Sequence, residues 1–444
     1  MPDFFFSHSI DQFKILFNNM RKKVFFDNRV DEIKNIAWDY FLSTGLPLHR
    51  RGNEEWKYTN LNQLSETKFT VDNDISIDFS SIIKSIPFSD NWHNIVFING
   101  NYFSKLGGNF TKTNEIKIAP LSSSKLPDEF ATLANPDLSP FTALNTVFFS
   151  EGITIEIPDN IKVSKDLNIV FVTSQSSDNL ATFPRVFLKC GENSNLNFIE
   201  SYINLSNGNN LTLPVVEIVQ SKNSKINHYR LQLENKNSFN IGTTRIEQKE
   251  NSNFNSTTFS TAALIGRNDL HVLLQEPYSV CGLYGLYITS GDQQQDNEIS
   301  TTHAKHNCTS KQFYKGILSG KSKAVFSGKI LVEKDAQKTD ADQKDLNLLL
   351  SRDCEVDTKP SLEIYADDVI CAHGATAGNV DMNTLFYLQT RGLDLETAKE
   401  ILIRGFADEI LDRFSPKDLH CFLSDYIDDI IPELRDQSDT IGTF

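Results

Sequence analysis

Two small groups of side chains could bind a metal or activate a nucleophile. In Cys371-Ala-His373 the i, i+2 spacing places a thiol and an imidazole side by side on one face of a strand. Thiolate and neutral imidazole both ligate iron or a sulfur-bridged cluster, once each has given up its proton. On spacing alone a buried cysteine beside a hydrogen-bonded histidine is the plainer account. Two ligands are also too few to hold a cluster, which takes about four, so any cluster here would be shared with other groups. The second group is His303-Ala-Lys-His306-Asn-Cys308. On a continuous strand His306 and Cys308 share a face and His303 points to the other, which falls short of the four ligands of a structural zinc site. Core or surface histidines are the plain reading, and a zinc-binding structural protein is the competing one.

Other chemistry finds little support. Gly316-Ile-Leu-Ser-Gly320-Lys321-Ser322 is one residue short of a phosphate loop and is followed by strand-like residues instead of a helix, so no nucleotide is expected on this chain. No G-x-S-x-G, H-E-x-x-H or G-x-G-x-x-G occurs. Carboxylates are abundant enough that a carbohydrate-active enzyme using a carboxylate pair stays open. The six cysteines are scattered without a C-x-x-C pair, which fits a reducing compartment.

The elements that must position Cys371 and His373 are strands. From about residue 150 apolar residues alternate, as in Ile153-Thr-Ile155-Glu-Ile157, and no amphipathic helix appears until about 384. A short pattern recurs within this stretch: ENSNLN at 192–197, KNSKIN at 222–227 and ENSNFN at 250–255, with GKSKAV at 320–325 as a fainter fourth copy. An Asn-Ser turn followed by one inward apolar residue at near-constant period describes stacked coils, each burying its apolar face against the next. A β-sandwich also has regularly spaced strands and competes with this parallel β-helix.

Both ends read as helical. Ile10, Phe13 and Phe17 fall at helical spacing, as do Ile33, Ile36, Ala37, Tyr40 and Phe41, between a cap at Asp27 and a stop at Gly45-Leu46-Pro47. At the other end, 394–414 and a helix opened by Ser415 as N-cap with Pro416 at N1 carry apolar stripes. The fold class is therefore mainly β with helical ends. The domains read as 1–149, helical with a mixed connecting segment; 150–380, the β-helix core; and 381–444, helical.

The chain of 444 residues has a net charge of −15, which disfavours nucleic acid and anionic membrane surfaces as partners. Residues 381–444 hold 14 acidic and 6 basic side chains, so either a solvated surface or a face for a basic partner lies there. No apolar run approaches the roughly 18 residues of a membrane span, and the first residues lack a secretory pattern, so a cytoplasmic protein is expected.

The stretch EVDTKPSLEIYADDVICAHGAT at 355–376, extended by LFYLQTRG at 385–392 and preceded by AQKTD at 336–340 and NLLL at 347–350, closely resembles the C-terminal motif of the SufB/SufD family of iron–sulfur cluster assembly scaffolds. RRGNEEWKYT at 50–59 resembles the family's N-terminal motif. Gly374, where SufB-type members tend to carry Glu, and the EEWKY run lean to the SufD branch. The resemblance implies a right-handed parallel β-helix between helical ends and a non-catalytic role. It implies a heterodimer with SufB through the β-helix and docking of the ATPase SufC on the C-terminal helices at about 381–430; whether the chain forms a homodimer when alone is left open by the sequence, although the edge strands of a solenoid allow such pairing. It places His373 where a family histidine faces a SufB cysteine across the heterodimer. With Cys371 as its neighbouring thiol, it makes the pair the candidate ligands of a transient iron–sulfur cluster shared with SufB. His306 aligns with a recurring core histidine in a supporting role. No residues can be tied to a flavin.

Overall fold

The computed structural model describes residues 10–18, 28–48, 53–71, 79–104, 113–123, 126–174, 178–261 and 263–436. Two parallel sheets face each other and are wound by one strand from each sheet per coil, giving a parallel β-solenoid of about eight turns. One wall runs from His93–Ile98 through Leu167–Thr173, Asn195–Asn204, Lys225–Leu233, Asn253–Thr261, Val280–Thr289, Thr309–Leu318 and Asp340–Leu349 to Ile370–Gly378. The other runs from Ile153–Ile157 through Arg185–Cys190, Val215–Gln220, Phe239–Gln248, Ile265–Leu274, Gln294–His303 and Lys323–Val332 to Glu355–Ile364. The first wall strand thus lies well upstream of residue 150. The β-helix reading prevails over the sandwich.

The recurring Asn-Ser turns hold one corner of this solenoid. Asn193, Asn223 and Asn251 all take a left-handed backbone, with φ of 56°, 57° and 55°, a conformation asparagine tolerates better than other side chains. Their amides form a ladder along the axis: Asn223 Nδ2 donates to Asn193 Oδ1 at 2.9 Å and Asn251 Nδ2 to Asn223 Oδ1 at 2.8 Å. Asn197, Asn227 and Asn255, in register, make a second ladder. Between the ladders Leu196, Ile226 and Phe254 point into the core. The GKSKAV turn differs, because Gly320 sits at the opposite corner and leads into Lys323–Val332, the other wall. It resembles the others because it meets the same requirement for a left-handed residue, here met by glycine at φ 67°.

Each wall is covered on its outer face by one helical end, so many wall strands are buried on both faces, as Leu167–Thr173 and Val215–Gln220 are throughout. The N-terminal region packs Phe13, Phe41, Trp56, Phe141 and Phe148 against Phe187, Phe239 and Ile265. The helix Asn28–Thr44 ends as expected, with Gly45 at φ 60° donating its amide to the Phe41 carbonyl. The Asp27 cap lies outside the described residues. A buried ion pair pins the connecting segment: Arg185 Nη2 lies 2.6 Å from Glu217, and Glu217 also accepts the Ala131 and Ala134 amides.

The opposite wall carries Met382–Thr390, Leu395–Leu411 and Lys417–Asp436. Asp394 caps the second of these through the Thr397 amide. Ser415 is not an N-cap. Its hydroxyl pairs with Tyr229 OH on the wall and the helix opens at Lys417, because anchoring the helix to the sheet takes the hydroxyl the cap would use. Phe414 against Tyr229, Tyr426 against Phe259 and Arg413 over the Tyr284 ring complete the seam.

Candidate functional site

Along the solenoid, register partners stack into rows that run parallel to the axis. Residues Leu196, Ile226, Phe254, Cys281, Ser310, Ala341 and Cys371 form one inward row. Phe198, His228, Ser256, Leu283, Gln312, Gln343 and His373 form the next. Leu196, Phe254, Cys281 and Leu283 belong to the interior core, so Cys371 and His373 occupy inward-facing positions. They differ from the rest of their rows in exposure. Ile370–Gly378 is the last strand of its wall, and Glu355–Ile364 is the last of the other, so among the described residues each is paired on one side only. His373 is exposed and Cys371 half-buried against Ala341 and Val332.

Burial, and then the Asp340 carboxylate, push the Cys371 thiol above its ordinary range, so this structure favours the protonated thiol. Gly374 faces open space: a Cβ built there meets nothing within 4 Å. Glycine is therefore not demanded at this position by packing. Exposed apolar side chains flank the open end, among them Ile370 at 74%, Tyr365 at 66% and Ile364 at 39%.

The second group of ligand types does not come together. Strand Gln294–His303 ends at His303, and the turn that follows carries a left-handed Asn307. His303 and Cys308 are thereby buried while His306 is exposed, so His306 and Cys308, expected to share a face on a continuous strand, are parted by the turn. His303 is hydrogen-bonded to Ser310 at 2.8 Å, and burial pushes its pKa down to about 4. His306 stands edge-on to the Tyr278 ring and bonds Asn307. No cluster of three or more His, Cys, Asp or Glu arranged for a metal ion exists among the described residues. The phosphate-loop look-alike is strand, turn and strand, with the Ser322 hydroxyl bonded to Thr289.

The N-terminal motif plays a positional part. Trp56 is buried beneath the Arg267 guanidinium at 4.2 Å, Arg267 donates to the Glu55 carbonyl and binds Asp296, and Thr59 donates to Asp296 at 2.8 Å. Gln294 holds the Tyr58 carbonyl at 3.0 Å. This motif straps the N-terminal region to the outer face of the second wall. Arg50 and Arg51 lie outside the described residues.

Sequence reasoning passed over Gln312, Gln343 and Asp345, all buried on the inward face in the two coils before the open end. Asp345 accepts Tyr287 OH at 3.1 Å and Asn347 Nδ2 at 2.7 Å, and burial pushes its carboxyl up to about 7. The available signal was the polar alternation Asp-Ala-Asp-Gln-Lys-Asp of 340–345, which reads as a surface strand unless its inward neighbours are known.

Residues 7–169 match the SufBD protein N-terminal region, and residues 171–406 match the SufBD core domain of the SUF system for FeS cluster assembly. An iron–sulfur cluster assembly SufBD family protein of Synechocystis is 30% identical over 85% of this chain and 86% of its own length. The chloroplastic protein ABCI7 of Arabidopsis thaliana is 30% identical over 81% of this chain and 73% of its own. The iron–sulfur cluster assembly protein SufD of Escherichia coli is 29% identical over 83% and 85%. Matched by the two models over 7–169 and 171–406, and by a 30% identical relative over most of both chains, the chain belongs to the SufBD family of iron–sulfur cluster assembly proteins.

Proposed function

We propose that this chain is a non-catalytic SufD-type scaffold that pairs with SufB through the open end of its solenoid. In this reading His373, with Cys371 beside it, supplies a ligand or gate to a nascent iron–sulfur cluster carried as cargo at that junction. The observation that carries the reading is the position of His373: an exposed imidazole at an inward-facing position on the terminal strand, which among the described residues is paired on one side only. Free strand edges recruit strands, and the apolar side chains at 364, 365 and 370 favour that pairing over solvent. A second copy of the chain fits the same edge when SufB is absent.

SufC would dock on the C-terminal helices. Phe386 at 68% and Tyr387 at 55% exposure, with Met382 and Ile401, are exposed apolar side chains on helices of strongly acidic composition. ATP-driven movement of SufC would then open and close the junction. The charge of the chain and its cysteine usage fit a cytoplasmic setting.

The test is co-expression with SufB and SufC, comparing wild type with His373→Ala for complex formation and for anaerobically isolated iron and acid-labile sulfide. A complex that assembles but holds little of either supports the assignment. Normal loading removes His373 from the site while leaving the scaffold role, and failure of the wild-type chain to bind either partner overturns the whole reading.

A further inference from the structure

Inside the solenoid the row that ends at His373 contains a directed chain of side-chain amides. Gln312 and Gln343 are register partners on adjacent coils, and both are fully buried. Gln312 Nε2 lies 3.4 Å from the Lys329 carbonyl and 3.0 Å from Thr301 Oγ1. A carbonyl only accepts, so this nitrogen is the donor end of Gln312 and its oxygen faces the next coil. Gln343 Nε2 donates to that oxygen at 2.6 Å. The orientation of Gln343 follows: with its nitrogen turned back along the row, its Oε1 is the free end of the ladder. Gln343 Oε1 is buried and accepts no hydrogen bond.

The amide is also confined. A Cβ on Gly328, across the interior, would stand 2.2 Å from Gln343 Nε2 and 2.7 Å from its Cδ, so the amide lies against this glycine and fills the space a side chain would take. The next residue in the row is His373, one strand away at about 4.8 Å of backbone spacing. Amide ladders extend by adding a donor at that distance.

We infer that the Gln312–Gln343 ladder is a positioning device for His373: the imidazole turns inward and one ring N–H fills the free Gln343 oxygen. That bond selects a single neutral tautomer, and the other ring nitrogen keeps its lone pair facing the open end, where it can take iron or a proton. Gln343 touches no cargo; it acts through the histidine. The inference rests on the reading of His373 as the site residue, yet its test does not.

The experiment is long-range proton–nitrogen correlation on the full chain labelled with ¹⁵N-histidine, with the His373 signals assigned by their loss in His373→Ala. One net hydrogen bond supports a tautomer bias of roughly fivefold or more in the wild type. Gln343→Leu is expected to return His373 to the ratio of a free imidazole, and Gly328→Ala, which displaces the Gln343 amide without altering the row, to do the same. Gln343→Glu keeps an acceptor at the same place, so it should retain the bias. A ratio at His373 that is the same in wild type, Gln343→Leu and Gly328→Ala overturns the inference, whatever His373→Ala does to iron loading. A purely structural role for the ladder would lower stability in the variants and leave the tautomer ratio unchanged.

Discussion

Replacing Glu217 by glutamine tests whether the N-terminal region is locked to the solenoid by a buried charge. Both Glu217 and Arg185 are fully buried and 2.6 Å apart. Besides Arg185, Glu217 accepts the Ala131 amide on one oxygen and the Ala134 amide on the other, each at 3.1 Å. Glutamine preserves shape but offers one oxygen, so one of those amides loses its acceptor. Arg185 keeps Asn145, Thr146 and the Phe130 ring but no counter-charge. Removing one partner of a buried pair costs about 3–5 kcal/mol. For a cooperative unit of this size the unfolding entropy, near 2.1 cal/mol/K per residue, converts that loss to a fall of roughly 3–5 °C in Tm. The double variant Arg185→Met/Glu217→Gln should recover the part of the loss due to the unpaired charge and keep only the cost of the one amide without an acceptor, about 1–3 kcal/mol. Calorimetry and urea unfolding give the energies, and hydrogen exchange over 126–149 should rise first in the single variant. A single variant within about 1 kcal/mol of wild type, or a double variant as unstable as both singles added, would refute the locking argument.

Three further outcomes are expected. Asp345→Asn should stabilise the chain at pH 8: the folded carboxyl titrates at about 7 because of burial, whereas the unfolded one titrates near 4, so folding takes up a proton between those values. The cost is full above pH 7 and fades as pH falls, so an advantage of a few kcal/mol for the variant at pH 8 should close by about pH 4; a gap independent of pH would contradict it. Asn223→Ala loses both ladder bonds and puts an ordinary Cβ at φ 57°, for about 1–2 kcal/mol, and Asn223→Gly should cost less; equal losses in urea unfolding would contradict the left-handed requirement. Exposed Cys421 should alkylate first and half-buried Cys371 next, while Cys190, Cys281, Cys308 and Cys354 react only on unfolding. SufB should protect Cys371 in the same mass-spectrometric assay, and an unchanged Cys371 rate in a formed complex would move the junction elsewhere.

The coil period was legible where the turn residue is constrained by chemistry. Asn193, Asn223 and Asn251 are asparagines because a left-handed turn and a ladder coincide there. At the same corner of later coils Tyr278, Asn307 and Lys338 take φ of 63°, 58° and 59°, yet the residue type changes and the repeat vanishes from the sequence while the turn persists. Strand alternation failed for a different reason. A wall sandwiched between the core and a helical end hides both faces, so Val215–Gln220 reads as a continuous apolar stretch broken by Glu217, whose charge is spent on Arg185.

The candidate site was legible only in part, because its two halves are encoded differently. Cys371 and His373 are two residues apart, and strand geometry alone puts them on one face. Gln343 stands beside His373 only through a register whose successive steps vary from coil to coil, so no fixed offset in the sequence announces it. The exposure of His373 has the same origin. Every inward residue of an inner coil is covered by the next coil, and among the described residues the last coil has none, so a polar side chain on its inner face costs the core little. A histidine placed there keeps its contact with solvent. Whatever covers the terminal strand then sets the dielectric around the imidazole, and the buried Gln343 oxygen behind it fixes which way the ring must face.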